Sequence, residues 1–434
     1  MRSTIAFALA LLVAPALHAQ ADSAHSLGQA LQMAGKSGAA GDWKSARAAL
    51  EAALRFSPDN PAVLYGLARA EARLGNRAGA VRALNRLTQQ GVARAIGDDS
   101  VFASLRSSPE FRDVGHRLAS AAAPIVRSDT AFVLPDPDFI PEGIAWDPAD
   151  GRLYVGSLTG RGIVRVAGDS VSTWVRTDSA RLTQILGLRV DAPRRRLWIA
   201  TLTVDTAAPR FFRGPGGWAA LEAYHIPTGR RLGRWVPDSA GPHLLNDIAL
   251  TAGGVVYATD SEGSALYRLG SDEGPLERVH HDPDRFNYPN GIALSADGSR
   301  LYIAHWEGLS SFLLGAGGVL RPERVSAASG VTTAGIDGLY RCGDGLLAVQ
   351  YLLDFSQITR LTLSPDGRSV AAARALERRH PAQADPTTGA LAQGVFFYIA
   401  NAQLDRLTED QSVRPGTGAR SVVLRLPLEA ACGG

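Results

Sequence analysis

The sequence predicts a mainly β protein, a six-bladed β-propeller preceded by a small α-helical domain. Six times between about residue 130 and the C-terminus, a short apolar strand ends at one polar residue. A second column of strands follows about ten residues later, as in the run from Gly162 to Val166. Repeats of about 40 to 50 residues built from short strands are typical of propellers, with one four-stranded blade per repeat. The polar residues that end the strands are Ser157, Thr201, Asp260, His305, Gln350 and Asn401.

The last repeat indicates how the propeller closes. The chain ends soon after the third strand of this repeat, and the apolar stretch 131–134 stands immediately before the first repeat. Pairing of this stretch with residues 422–426 would complete the last blade and remove an open sheet edge. We therefore expect segments near both ends of the chain to share one blade.

A tight turn containing Gly or Asp opens the innermost strand of five repeats. Because strands alternate direction within a blade, these turns and the polar strand ends lie on the same face. The turns should therefore converge on the mouth of the central channel. In the sixth repeat, the stretch 385–389 is the candidate turn, with Thr387 or Thr388 on the channel. The residues before the Gly or Asp of the other turns are Glu142, Leu186, Asn246, Asn290 and Asp337.

Four of these residues carry a side-chain oxygen. Two carboxylates and two amide carbonyls suit a hard divalent cation, Ca²⁺ before others. Zinc would prefer nitrogen or sulfur ligands. The other interpretation is that Asn-Gly and Asp-Gly pairs merely form turns. We predict a metal site formed by Glu142, Asn246, Asn290 and Asp337.

The same turns resemble those of the gluconolactonase and senescence-marker-protein (regucalcin) family, over about 300 residues. That family holds a divalent metal with a Glu in a Pro-Glu-Gly turn, Asn residues in Asn-Asp and Asn-Gly turns, and an Asp in an Asp-Gly turn. Glu142, Asn246, Asn290 and Asp337 match these in order. The resemblance implies metal-assisted hydrolysis of a lactone or other ester, with Asp337 accepting the proton of the attacking water.

Further residues at the channel mouth are candidates for the reaction. Asp247 and His305 could take part in acid–base chemistry, although Asp247 is also placed to cap its own turn and His305 to form hydrogen bonds alone. Many sugar lactonases of the family carry an Arg two residues before the Asn of the second motif, where this chain has Leu244, so the substrate stays open. The expected substrate contacts and supporting residues are Asp260, Trp306, Gln350, Tyr351 and Asn401.

Residues 1–20 have the pattern of a secretory signal. Arg2 is followed by an apolar run from Ile5 to Leu17 and then by small residues. The run is too short for a membrane span, and no other stretch is long and apolar enough for one. We therefore expect an exported protein, periplasmic or secreted.

Residues 25–120 are rich in Ala, Leu and Arg with a helical period. Small residues recur after 34 positions, as Gly41 and Ala46 do in Gly75 and Ala80. This period resembles the tetratricopeptide repeat. A groove for a peptide or protein partner and a scaffold packed on the propeller both stay open. Residues 121–130 are the expected linker and residues 131–430 the propeller.

The composition adds two constraints. A net charge of +3 over 434 residues is too slight to indicate a nucleic-acid partner. The only cysteines are Cys342 and Cys432, and export would permit a disulfide between them. Because the spacing does not fix their distance, a bridge that closes the propeller and two free thiols both stay open.

Two functional classes remain. The first is a hydrolase dependent on Ca²⁺ or another divalent metal, in which water attacks the carbonyl of a small lactone or ester. The second is a non-catalytic periplasmic binding or scaffold protein, with a structural metal in the propeller and a partner on the helical repeats. Propellers host both classes, so the site must decide between them.

Overall fold

The structure is a computed structural model and divides into two compact units. The first comprises the described residues up to Ala123 with the short segments 329–334 and 352, and the second comprises the remainder. The described residues are 24–92, 94, 96–121, 123–159, 162–168, 170–176, 182–204, 217–238, 241–315, 319–352, 355–408, 413–414, 419–428 and 432. The predicted signal, residues 1–20, lies outside them.

The first unit is helical and repeats one turn after 34 residues. Asp42 and Asn76 accept a backbone N–H bond at the starts of two helices, and each follows a glycine with positive φ. Small residues such as Ala49 and Ala53 are buried where the helices pack together. The helices are α1 Leu27–Ala39, α2 Trp43–Phe56, α3 Pro61–Arg73, α4 Arg77–Gln89 and α5 Pro109–Ala121, with a 3₁₀ helix at Ser100–Leu105.

The second unit consists of antiparallel β-sheets that follow one another along the chain. One strand precedes them, β1 Asp129–Val133. The first sheet contains β2 Pro141–Asp147, β3 Arg152–Ser157, β4 Ile163–Ala167 and β5 Ser170–Val175. The second contains β6 Leu182–Asp191, β7 Arg196–Val204, β8 Gly217–His225 and β9 Arg231–Trp235. The third contains β10 Leu245–Leu250, β11 Val256–Asp260, β12 Ala265–Leu269 and β13 Leu276–His281.

The fourth sheet has eight strands because two outer edges meet. Its first half is β14 Ile292–Leu294, β15 Arg300–His305, β16 Gly308–Leu313 and β17 Pro322–Ala327. Its second half is β18 Ile336–Cys342, β19 Gly345–Leu352, β20 Phe355–Leu363 and β21 Ser369–Arg378. The halves are joined by a short parallel pairing of β17 with β21, Ser326 with Ser369 and Ala327 with Val370.

The fifth sheet joins both ends of the unit. It contains β22 Gly389–Ala392, β23 Val395–Ile399, β24 Val422–Pro427 and β1. In the pairing of β1 with β24, Phe132 lies opposite Val423 and Val133 opposite Val422. The expected closure by segments from both ends is therefore confirmed.

The first strands of the sheets surround one cavity of about 430 Å³, lined by residues of β2, β6, β10, β14, β18 and β22. The prediction of a mainly β protein with a propeller-like arrangement of sheets and a helical N-terminal region is confirmed. The described strands form five sheets, so the sheets alone do not establish six blades.

Glycines let the starts of the inner strands approach one another closely. A Cβ added at Gly143 would overlap the carbonyl oxygen of Leu186, and one added at Gly187 would overlap that of Asn246. A Cβ added at Gly291 would overlap the carbonyl oxygen of Asp337. Each glycine thus faces the backbone of the next inner turn along the chain.

Two further features concern the covalent chain and the membrane. Cys342 and Cys432 form a disulfide across a sequence separation of 90 residues. No helix within the described part of the chain has the length and apolar character needed to cross a membrane.

We expect Gly143→Ala to destabilise the second unit by about 1–3 kcal/mol, the range for overpacking a close contact. Gly253→Ala is the matched control, because Gly253 is exposed and its nearest neighbour would lie 3.8 Å from the new Cβ. That control should change the free energy of unfolding by no more than about 0.5 kcal/mol. Urea unfolding of both variants measures the difference, and equal effects would contradict the close approach.

Candidate metal site

A β-bulge lies at the same place in four inner strands. In the first sheet Pro141 pairs with Ser157 but Ile144 pairs with Val155, so the register shifts by one residue across the predicted turn. The pairing register of the inner strands β6, β10 and β18 also shifts by one residue at the corresponding place. Bulges interrupt the ladder and re-aim side chains, often beside functional sites. The bulges contain the pairs Glu142-Gly143, Leu186-Gly187, Asn246-Asp247 and Asp337-Gly338.

Three of the four predicted ligands come together at these turns. The side-chain amide of Asn290 donates a hydrogen bond of 2.7 Å from Nδ2 to Oδ1 of Asp337. Burial raises the pKa of Glu142 well above its usual value, and the neighbouring charge of Asp337 raises it further. Burial likewise raises the pKa of Asp337 to about 7, against the opposing hydrogen bond from Asn290. Two carboxyl groups therefore share a site where negative charge is costly.

Two oxygen atoms of this group are buried without an ordinary partner. Oε2 of Glu142 and Oδ1 of Asn290 accept no hydrogen bond of normal geometry from the described residues. A buried polar atom left without a partner costs about 1–3 kcal/mol and requires an explanation. Both atoms are of the type that coordinates a hard cation, and both belong to predicted ligands.

Asn246 presents its side chain from the neighbouring inner turn. Its Nδ2 donates to Oγ of Ser261 over 3.0 Å, and that hydroxyl donates to the carbonyl of Pro289 over 2.8 Å. Because the amide nitrogen is used in this way, Oδ1 is the atom of Asn246 suited to a cation. The same hydroxyl ties the turn of Asn246 to the turn of Asn290.

Asp247 ties two inner strands together. Its Oδ1 accepts from the backbone N–H of Ile248 at 2.8 Å and its Oδ2 from that of Ile292 at 3.3 Å. A nitrogen of Arg189 lies 3.6 Å from Oδ1. Burial raises the pKa of Asp247, and the positive charge of Arg189 opposes the rise. These contacts match the capping role considered for Asp247.

The sixth inner turn adds residues that the sequence indicated only in part. The hydroxyl of Thr388 donates to the carbonyl oxygen of Glu142, and the hydroxyl of Thr387 lies close enough to Glu142 to lower its pKa. Asp385 was not predicted as a site residue, yet its charge raises the pKa of both Glu142 and Asp337. The only signal was its place at the start of the stretch 385–389.

The polar residues that end the second strands bond within their own sheets. Both ring nitrogens of His305 are engaged, Nδ1 with Glu307 and Nε2 with Ser310, each at 2.8 Å. Oε1 of Gln350 accepts from Gln357 and Thr359. These bonds hold both side chains within their own sheets.

Asp260 and Asn401 are held in a similar way. Oδ2 of Asp260 lies 2.6 Å from Nδ1 of His243, and its Oδ1 accepts from the backbone N–H groups of Leu244 and Gly263. His243 was not predicted, because the pairing spans 17 residues and no motif marks it. Oδ1 of Asn401 accepts from the backbone N–H of Val422 at 2.6 Å. The two remaining candidates, Trp306 and Tyr351, are exposed.

The donor set fits a hard divalent cation. Within the described residues, no group of three or more His, Cys, Asp and Glu side chains is placed to hold a metal ion. The predicted set instead combines two carboxylates with two amides. Its unpartnered oxygens and its excess of negative charge are the features that a bound cation would satisfy.

Comparison with known proteins identifies the helical repeat. Residues 39–96 match the model of the tetratricopeptide repeat family, which confirms the prediction for this segment. No protein of curated function matches the chain.

Solved structures similar to this chain include gluconolactonase-like and regucalcin-like propellers. A gluconolactonase from Xanthomonas campestris is 19% identical, with 72% of this chain and 93% of that chain covered and a TM-score of 0.45. Regucalcin from Agrobacterium tumefaciens, described as a calcium-binding protein, is 15% identical with 70% and 95% covered and a TM-score of 0.44. Virginiamycin B lyase from Staphylococcus aureus is 14% identical with 70% and 99% covered and a TM-score of 0.45. At these scores the similarities carry no conclusion about activity.

The pKa shifts predict that stability without metal falls as pH rises. Asp337 binds its proton more tightly in the folded state, so its contribution is complete below the ordinary value of 3.8 and is lost as pH rises through about 7. In that window each pH unit costs about 1.4 kcal/mol per group. Urea unfolding in chelator from pH 4.5 to 7.5 should show the fall in the wild type and a smaller one in Asp337→Asn. Identical pH profiles for the two proteins would contradict the assignment.

Proposed function

We propose that this protein is a metal-dependent hydrolase of the lactonase or esterase type, with Ca²⁺ as the metal. The observation that carries the proposal is the pair of buried, unpartnered oxygens on Glu142 and Asn290. They lie in a group where burial raises the pKa of both carboxyl groups. The charge of Asp337 raises the pKa of Glu142 further, and the charges of Asp247 and Asp385 raise that of Asp337. Such a group gains from a cation.

Glu142, Asn246, Asn290 and Asp337 would hold the cation. When bound there, a divalent cation polarises a carbonyl and lowers the pKa of water. The protein supplies the arrangement around it. Asn290 orients Asp337 through the bond of 2.7 Å, and Thr388 holds the backbone of Glu142.

Proton transfer is assigned to Asp337 in this proposal. Its carboxylate would accept the proton of the water that attacks the substrate carbonyl. Asp247 is a positioning residue, because both of its oxygens accept backbone N–H bonds. His305 is given no proton-transfer step, because Glu307 and Ser310 occupy its two ring nitrogens.

The proposal includes a six-bladed propeller over residues 131–430. It counts the eight-stranded sheet as two blades that pair along their outer edges through β17 and β21. The cavity lined by residues of six inner strands supports this count. A signal at residues 1–20, a helical domain at residues 25–120, a linker at residues 121–130 and export to a periplasm or the medium belong to the same proposal.

The second candidate is a binding or scaffold protein with a structural ion. It is favoured by one observation, that His305, Gln350, Asp260 and Asn401 are engaged within their sheets. The tetratricopeptide match at residues 39–96 would then mark the surface for a protein or peptide partner. The two candidates differ in turnover and not in metal binding.

We expect Glu142→Gln and Asp337→Asn to lower kcat/KM by at least about 100-fold on a panel of lactones and aryl esters with Ca²⁺, as loss of a charged group at the reacting centre does. Glu273→Gln and Asp344→Asn are matched controls, because both carboxylates are exposed. Circular dichroism and unfolding curves verify that all four variants are folded.

Activity in Glu142→Gln equal to that of the wild type would contradict the proposed site. A wild type that hydrolyses nothing on the panel with Ca²⁺, Mn²⁺ or Zn²⁺, while Ca²⁺ still raises its Tm, would favour the second candidate.

A further inference from the structure

An aromatic pair with one exposed ring stands beside the turn that carries Asn290. The rings of Tyr288 and Trp306 are stacked, with centroids 5.7 Å apart and planes inclined by 26°. Tyr288 packs against a buried apolar cluster, whereas Trp306 is 47% exposed. Large aromatic faces exposed at the rim of a site are typical of recognition surfaces.

The backbone of Tyr288 is strained. Its φ is +53°, in the left-handed region that costs a non-glycine residue about 1–3 kcal/mol. Such a conformation persists only where the surrounding structure imposes it, and it concentrates at functional sites. Here it occurs at the residue that supports Trp306 and lies two positions before a predicted ligand, Asn290.

A polar network holds the backbone of Trp306. The backbone N–H of Trp306 donates to the carbonyl of Asn287 over 2.9 Å. Asn287 donates from its backbone N and its Nδ2 to the two carboxylate oxygens of Glu307. Oε2 of Glu307 also forms a hydrogen bond of 2.8 Å with Nδ1 of His305. His305 and Glu307 are therefore positioning residues for the aromatic pair and for the turn of Asn290.

The rim is less suited to a substrate with many hydroxyl groups. Such a substrate needs a hydrogen-bond partner for each group that it buries. In the described part of the rim, the hydroxyl of Thr201 donates to Ala220, and Gln350 and Asn401 are engaged within their sheets.

We propose that the Tyr288–Trp306 pair is the substrate platform, and that the substrate is a lactone or ester bearing a flat apolar ring. The inference rests on the proposed function, because it places this ring beside the same metal site. The indole face of Trp306 stacks on the ring, while the ester group reaches the turns of Asn290 and Asp337. A polyhydroxy sugar lactone is the disfavoured alternative.

The test compares three lactones: benzofuran-2-one, whose leaving group is a phenolate, and γ-butyrolactone and glucono-δ-lactone, whose leaving groups are alkoxides. We expect the lowest KM of the wild type for benzofuran-2-one, and KM is compared because the leaving group also affects kcat. Trp306→Ala should raise the KM for benzofuran-2-one about 10-fold or more, with kcat changed less than about threefold and butyrolactone kinetics unchanged. Trp306→Phe should restore most of the loss. Leu313→Ala is the control, because Leu313 is an exposed apolar residue at the far end of the same β15–β16 hairpin.

The outcomes separate the platform from the hydrolase. Equal losses for the fused and unfused lactones in Trp306→Ala, or a wild-type preference for glucono-δ-lactone, overturn the platform and leave the hydrolase standing. A wild type that cleaves none of the three contradicts the proposed function. Calorimetry with 2-indanone, which has the fused ring but no ester, then decides the platform. Binding that is lost in Trp306→Ala supports it, and absence of binding to the wild type overturns it.

Discussion

Close backbone contact between neighbouring inner turns is the constraint on which the site depends. Gly143, Gly187 and Gly291 each face the carbonyl of the next inner turn, where a Cβ would not fit. A hydrogen bond from the hydroxyl of Thr388 to the carbonyl of Glu142 joins the sixth inner turn to the first. At the turns of Gly143, Gly187 and Gly338, a bulge takes the residue before the glycine out of the strand ladder. Glycine is needed there for space as well as for turn formation.

This constraint brings acidic groups closer together than their charge would favour. Glu142 is buried and the half-buried Asp337 lies near it, and Asp247 and Asp385 add to the negative field. The positive charge of Arg189 and the backbone N–H groups that donate to Asp247 offset part of this negative charge. Among the described residues, no group donates a hydrogen bond of normal geometry to Oε2 of Glu142 or to Oδ1 of Asn290. A fold that places this cost at the starts of its inner strands is suited to a cation, whose charge would offset the repulsion.

The sequence could predict the features that repeat. The strand columns, the shared last sheet and the turns of Glu142, Asn290 and Asp337 all follow from patterns that recur along the chain. Asp385 could not be predicted as part of the site, because it stands four residues before the glycine of its turn, whereas the other candidates directly precede the Gly or Asp of theirs. The parallel pairing of β17 with β21 could not be predicted either, because two edge strands pair there through their backbones and no sequence motif marks the contact. For His305, a polar residue at a strand end has the same pattern whether it faces a channel or bonds within its own sheet.

Calorimetric titration of Ca²⁺ into chelator-treated protein tests the metal site most directly. We expect one Ca²⁺ per chain in the wild type, and loss of that binding in Glu142→Gln and in Asn290→Ala, because each removes an oxygen from the same ion. Exposed-carboxylate variants such as Asp344→Asn should bind as the wild type does. A wild type that binds no divalent cation, or variants at Glu142 and Asn290 that bind with unchanged affinity, would contradict the metal site.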